Sequence, residues 1–289
     1  MSAAATPGTK PYYFVPQPSH WPITGSCAIL LLALGATTWI NGIAVGPWLV
    51  GAGFAVLLVM LFGWFGTVVG ESEGRLYNKK VDASFRWSMS WFIFSEVMFF
   101  GAFFGALFYI RNVSVPGLGD ALTGRVLWPE YASQWPTVGP YLKIQFSPMG
   151  AMGIPLLNTI ILLTSGGTLT IAHHALKAGH RGALYFWLAA TIVLGFTFLG
   201  FQAYEYHHAY TESNLKLSTG VYGSTFFMLT GFHGFHVTIG AIMLTVILGR
   251  ALRGHFDAHH HFAFEAAAWY WHFVDVVWLL LFVLVYWMA

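Results

Sequence analysis

The stretch Glu265-Ala266-Ala267-Ala268-Trp269-Tyr270-Trp271-His272-Phe273-Val274-Asp275-Val276-Val277-Trp278 runs on into an apolar tail, residues 279–287. From His261 to Trp287 the run is long enough to cross a bilayer, which takes about 20 mostly apolar residues. Yet it carries Glu265, His272 and Asp275. At about 100° per residue, Glu265 and His272 are nearly eclipsed on a helix and Asp275 flanks them on the same side. The polar atoms form one stripe, and the Val, Leu and Phe side chains face elsewhere. An ionised carboxylate at the bilayer centre costs about 2.5–3.5 kcal/mol on insertion scales. The stripe is therefore expected to face protein, with partners supplied by other helices.

The rest of the chain has the same character. Of its 289 residues, 57% are hydrophobic and only 8% charged, against about 25% charged in soluble domains. The expected class is all-α, a polytopic membrane protein with seven transmembrane helices. No period-2 alternation suggests a lipid-facing barrel. A single cysteine, Cys27, excludes an internal disulfide or a CxxC redox site. The formal charge of +2 argues against a nucleic-acid partner. The polar, proline-rich residues 1–21 lack a basic segment followed by a short apolar core, so they do not read as a cleaved signal peptide.

Apolar spans fall at residues 22–40, 47–69, 85–110, 152–172, 183–206, 221–249 and 262–287. They divide the chain into an N-terminal segment (1–21), two transmembrane helices (22–69) and five more with a long outer loop at 112–150 (70–289). If the N-terminus is cytoplasmic, the inner side carries Lys10, Arg75, Lys79, Lys80, Arg86, Lys177, Arg181, Arg250 and Arg253, and the outer side Arg111, Arg125, Lys143 and Lys216. The positive-inside rule thus favours N-in, C-out. The loop 112–150 is rich in proline and aromatics (Trp128, Tyr131, Trp135, Tyr141), which suits a docking surface.

Inside the membrane, Glu96 sits about 16 Å into its span among Ile93, Phe94, Val97, Phe99 and Phe100. Two readings stand: a proton-carrying or gating acid, and a neutral carboxyl hydrogen-bonded across a helix interface. His233 and His236 share one helix face and, with His272 and Asp275, can be read as a metal or haem site or as interhelix hydrogen-bond partners. Glycines beside both histidines favour tight packing, and no HExxH is present. Gln202 and Glu205, followed by His207 and His208, read as a capping or interfacial network. The inner face collects His173, His174, His180, His255, His259, His260 and His261. Such a cluster can serve as a proton antenna or simply as interfacial polar side chains.

The stretch 264–279 resembles the signature of cytochrome c oxidase subunit III. So do Gly220-Val221-Tyr222-Gly223-Ser224-Thr225-Phe226-Phe227, Gly231-Phe232-His233-Gly234-Phe235-His236-Val237, Pro155-Leu156-Leu157-Asn158-Thr159, Ala172-His173-His174, Phe94-Ser95-Glu96-Val97 and Pro18-Ser19-His20-Trp21-Pro22-Ile23-Thr24-Gly25. These follow the family's order from about residue 18 onward. The resemblance implies a subunit of an aa3- or caa3-type haem–copper oxidase, with two helices splayed from five around a lipid-filled cleft. It implies no catalytic residue, cofactor or metal in this chain, since haem a and copper belong to partner subunits. It also implies packing on subunit I, support of proton uptake, and protection of the oxygen-reducing site from turnover inactivation. The partners implied are subunits I and II, a small subunit IV and structural phospholipids, with cytochrome c reached only through subunit II.

The lipid-binding candidates it suggests are Trp64, Glu71, Ser72, Arg250 and His255. Gly70 and Tyr77 stand where basic residues and histidine are common in the family, and Arg75, Lys79 or Lys80 offer substitutes. The longer loop 112–150 suggests a bacterial inner-membrane protein. Two other functions compete: a metal- or haem-binding enzyme using His233, His236 and His272, and a proton-coupled transporter using Glu96. A transporter favours repeated halves or broken helices, and the sequence shows neither.

Overall fold

Apolar runs bounded by proline or glycine fold into α1 (Trp21–Ile40) and α2 (Gly46–Glu73), and α3 (Lys79–Tyr109) follows. A π-helical turn (Ile110–Ser114) carries α3 into the short α4 (Val115–Leu118), and α5 (Gly124–Leu127) follows. Then come α6 (Ile154–Lys177), α7 (Arg181–Thr211), α8 (Gly220–Leu252) and α9 (Phe262–Leu281), the last closing in a π-helical segment (Phe282–Trp287). This computed structural model describes residues 14–120, 122 and 124–289. Lys10, the Arg125 side chain and most of the 1–21 segment lie outside the described residues. Seven helices are long and apolar enough to cross a membrane, and no strand occurs among the described residues.

The helices outrun the apolar windows. α3 starts at Lys79, not near 85, because Asn78 Oδ1 accepts the amides of Lys80 and Val81, and Arg86 pairs with Asp82 one turn on at 2.9 Å. At its far end, helical structure continues through Arg111 to Leu118, so the irregular outer segment begins later than 112. Asn112 holds this continuation by donating to the Phe108 carbonyl.

The chain forms two compact units, one ending at Trp87 and one from Ser88 to Ala289. In the first, α1 and α2 form an antiparallel hairpin, closed where Trp21 Nε1–H donates to Thr67 Oγ1 at 3.1 Å.

In the second unit, α9 is the buried element. Trp271 and Trp278 are each almost fully buried, and their indole N–H groups donate to Ser165 and Thr159 on α6, both at 2.9 Å. The Trp271 ring also lies against α7 and α8. A Cβ at Gly195 or Gly240 would come within 2.7 or 2.8 Å of the ring, so both positions must be glycine for the helices to close on it. This is small-residue packing of the kind that brings membrane helices together where lipid removes the ordinary hydrophobic drive. α3 joins through aromatic contacts: Phe99 with Phe232, Phe92 with Tyr270 and Phe100 with Phe273. Tyr185 at the start of α7 donates to the Ala251 carbonyl at the end of α8. The outer segment folds back on its own chain: the Tyr222 amide donates to the Thr137 carbonyl, the Ser147 amide to the Ser213 carbonyl, and Trp135 and Phe146 pack on the Tyr222 ring.

Candidate functional site

The second unit sorts the membrane-embedded acids and histidines into separate pairs rather than one network. The first joins α3 to α8. His236 Nε2 lies 2.8 Å from Glu96 Oε2, inside a wall formed by Phe99, Phe100 and Phe232. His236 Nδ1 is 2.6 Å from the Phe232 carbonyl oxygen, which can only accept, so Nδ1 carries a proton. Nε2 then either accepts the carboxylic proton of Glu96 or donates as imidazolium. In both forms one proton lies between the two groups. The Tyr270 hydroxyl donates to the His236 carbonyl and caps the pair from α9.

His233, one turn earlier, makes no such contact. Its ring stacks on Trp278 at 5.2 Å and meets Phe198 edge-on at 5.8 Å. The flanking glycines do not make the room for this packing: a Cβ added at Gly234 would meet nothing within 4 Å, and one at Gly231 only the Tyr206 hydroxyl at 3.7 Å. His233, His236 and His272 do not converge as a ligand set: among the described residues, one group alone brings three donor atoms of metal-ligand type together, and it is a different one.

That group is His173 on α6 with His261 and Glu265 at the start of α9. Glu265 Oε1 lies 3.2 Å from His261 Nε2 and 3.6 Å from His173 Nε2. His261 Nδ1–H donates to the Asp257 carbonyl at 3.0 Å, which turns Nε2 toward the carboxylate. Two imidazole nitrogens and a carboxylate oxygen within 4.8 Å of one another suit a divalent ion such as zinc, and the same groups can share a proton. The loop before α9 is pre-ordered for this. Asp257 Oδ1 accepts the amides of His259 and His260, each at 2.7 Å. Partial burial works to raise the Asp257 pKa, but those amide bonds and the His260 ring hold it down at about 2. The inner-face histidines thus divide: His174, His180, His259 and His260 are exposed, His255 is half-buried, and His173 and His261 turn in toward Glu265.

A third pair stays within α9. His272 Nδ1 is 3.6 Å from Asp275 Oδ2, and its Nε2 is 3.5 Å from Thr170 Oγ1 on α6. Gly166 makes room for the Asp275 carboxylate, since a Cβ there would collide with Oδ2. Glu265, His272 and Asp275 share a side of the helix, yet Glu265 meets the inner-face histidines and the other two meet each other.

Toward the outer end of α7, Glu205 turns inward rather than capping, and lies buried beside Tyr286 and near Gln202. His208 pairs instead with Glu212 at 3.1 Å. Sequence spacing misses the Glu205–Tyr286 neighbourhood because Tyr286 belongs to the irregular end of α9.

Of the lipid-binding candidates in the first unit, Trp64 is exposed and Glu71 accepts the Tyr77 hydroxyl at 2.7 Å. Burial, then the Glu71 bond, pushes the Tyr77 pKa up, so the phenol stays neutral. Ser72 sits in the last turn of α2. In the second unit, the Arg250 guanidinium lies 4.7 Å over the Phe256 ring, and His255 is half-buried beside it in sequence.

Comparison with known proteins bears on all of these features together. The family model for cytochrome c oxidase subunit III matches residues 10–289. The chain is 42% identical over 280 residues to cytochrome c oxidase subunit 3 of Loxodonta africana, covering 96% of this chain and 97% of that one. It is 41% identical over 277 residues to the proteins of the same name from Struthio camelus and Carassius auratus, covering 95% of this chain and 96% of each. A match that spans the whole bundle, with its paired acids and histidines, leaves one assignment: the chain belongs to the cytochrome c oxidase subunit III family, a multi-pass membrane component of the respiratory oxidase.

Proposed function

We propose that this chain is a non-catalytic subunit that covers subunit I, binds phospholipid, supports proton uptake on the inner face and protects the oxygen-reducing site during turnover. Haem a and copper then reside in subunits I and II, cytochrome c is met only through subunit II, and a small subunit IV completes the set. The observation that carries this reading is the commitment of the membrane-embedded histidines: His236 to Glu96, His233 to Trp278 and Phe198, and His272 to Asp275. On the inner face, exposed His174, His180, His259 and His260 can gather protons and pass them toward a neighbour.

The excess of basic residues on that face favours a cytoplasmic N-terminus and a periplasmic C-terminus in a bacterial inner membrane. The phospholipid contacts are Trp64, Glu71 and Ser72 on one unit and Arg250 and His255 on the other. The exposed part of the outer segment, with Trp128 and Tyr141 in edge contact at 5.9 Å, is an additional contact for another subunit.

The test compares oxidase purified with and without this chain. Oxygen consumption is followed against time and pH, and the chain is then added back with lipid. The expected result is near-normal initial turnover without it, followed by progressive loss that is steepest at high pH, where fewer histidines are protonated. Immediate and complete inactivity would assign it a catalytic or assembly-essential role. Unchanged rate and lifetime at every pH would make it a passive neighbour.

A further inference from the structure

Two imidazoles turn on one carboxylate oxygen where α9 begins, and neither is hydrogen-bonded to it. Glu265 Oε1 is 3.2 Å from His261 Nε2 and 3.6 Å from His173 Nε2, yet both nitrogens are buried without a hydrogen-bond partner. The His261 side chain is only 7% exposed. Its proton is already placed, because Nδ1–H donates to the Asp257 carbonyl at 3.0 Å, so Nε2 presents a lone pair. A buried lone pair facing a carboxylate oxygen is unfavourable unless a cation stands between them.

The spacing indicates which cation. A tetrahedral ion with ligands at about 2.0–2.1 Å holds the ligand atoms about 3.3 Å apart. The two distances to Glu265 Oε1 lie on either side of that value, and all three donor atoms lie within 4.8 Å of one another. Such an ion sits off the line joining each pair of ligands, so contacts this short need not be aligned as hydrogen bonds. Two imidazole nitrogens and one carboxylate oxygen are the donor set of zinc. Magnesium and calcium take six or more oxygens instead.

The surroundings complete a site. The Asp257 carbonyl fixes the His261 tautomer, as the outer partners of metal-bound histidines do. Asp257 Oδ1 orders the loop that aims His261. The His173 ring packs on Phe264 at 5.4 Å, and Phe264 packs on Phe256 at 6.4 Å, which gives an apolar wall. On the opposite side His173 is 24% exposed, which leaves a way in for an ion and room for water as a fourth ligand.

We propose that His173, His261 and Glu265 form a zinc site with three protein ligands, which ties the end of α6 to the start of α9. The site goes beyond the reading of the chain as an oxidase subunit and stands independently of it. The family resemblance implies no metal in this chain. Zinc has no redox chemistry, so an ion here leaves haem and copper where the proposed function puts them.

The test titrates the chain, in the complex with which it purifies, with radioactive zinc by equilibrium dialysis after chelator treatment. One more zinc per chain is expected in wild type than in His173→Gln. Affinity is expected to fall by about a hundredfold in His173→Gln and Glu265→Gln, and by about tenfold in Asp257→Ala, which loosens the aiming loop. Excess magnesium should not displace the ion. His174→Gln is the control, since His174 is the exposed neighbour of His173 and takes no part in the group. Equal binding by wild type and His173→Gln overturns the proposal. So does an equal loss in His174→Gln, which would mean that surface histidines collect the zinc.

Hydrogen exchange places the ion. In wild type, zinc is expected to slow exchange of amides 259–265 by about threefold or more, because binding stabilises the ordered loop. That slowing should vanish in His173→Gln, a partly exposed position whose substitution leaves the buried His261 in place to report folding. Zinc uptake without any change at 259–265, or the same change in His173→Gln, overturns the assignment.

Discussion

Glu96 on α3 and His236 on α8 meet at 2.8 Å across an aromatic-walled interface, and with His236 Nδ1 engaged by a backbone carbonyl they hold a single proton between them. The two readings of Glu96 left open by the sequence, a mobile proton carrier and a hydrogen-bonded neutral acid, become two positions of that one proton.

Glu96→Gln keeps the shape and an N–H donor toward Nε2. Turnover and thermal stability are expected to stay close to wild type, within about 1 kcal/mol. Glu96→Ala leaves a buried imidazole nitrogen without its partner and is expected to cost about 1–3 kcal/mol. Thermal unfolding of both variants in detergent, with infrared difference spectra of the carboxyl band, measures the contrast. Equal stability of the Gln and Ala variants would show that the pair contributes nothing.

Glycine positions on α7 provide an internal comparison. Gly195→Ala drives a methyl group into the Trp271 ring and is expected to destabilise by about 1–3 kcal/mol. Gly200, on the same helix, has nothing within 4 Å of the added methyl. Gly200→Ala should therefore be neutral or gain up to about 1 kcal/mol from helix propensity. Thermal unfolding of both variants decides it.

The Asp257 carboxylate gives the inner loop a predictable pH response. Its folded pKa of about 2 lies below the usual value of about 3.9, so its contribution is fully present above about pH 4 and is lost as pH falls through about 2. Hydrogen exchange of the His259 and His260 amides should stay protected down to that window and then rise. In Asp257→Ala the protection should be absent at every pH. Wild-type amides that already exchange freely at pH 5 would contradict the assignment.

Lys143 and Glu130 form an ion pair at 2.9 Å on the outer segment, with both side chains more than four-fifths exposed. Such pairs contribute little because water screens them. Lys143→Gln is expected to leave the melting temperature unchanged in high and low salt alike. A salt-dependent drop would mean that the segment is held more tightly than its exposure suggests.

The spans were legible because a bilayer demands long apolar runs, and those runs are plain from Trp21 to Trp287. Their ends were not, since hydropathy cannot register a cap such as Asn78 or the continuation of helix through Arg111 and Asn112. The site was legible as an inventory and illegible as a pairing. Periodicity placed Glu265, His272 and Asp275 on one side of α9, but which imidazole each carboxylate meets depends on helix neighbours. Glu96 and His236 are 140 residues apart, and nothing local to either specifies the other. The His173–His261–Glu265 group was hidden for the same reason, and because the fold of the Asp257 loop, rather than the spacing of its histidines, turns His261 inward.

The Glu96–His236 pair also has an electrical consequence. Whether the proton sits on the carboxyl or on the imidazole, the pair's total charge is zero. A respiratory membrane works under a standing voltage, which does about 2.3 kcal/mol of work per 100 mV on a charge that crosses the whole bilayer. Even the full 2.8 Å between the two heavy atoms is roughly a tenth of a hydrocarbon core about 30 Å thick, so the field changes the proton's position energy by at most about 0.2 kcal/mol per 100 mV. The pair can therefore keep an acid and a base deep in an energised membrane while remaining almost indifferent to how strongly that membrane is polarised.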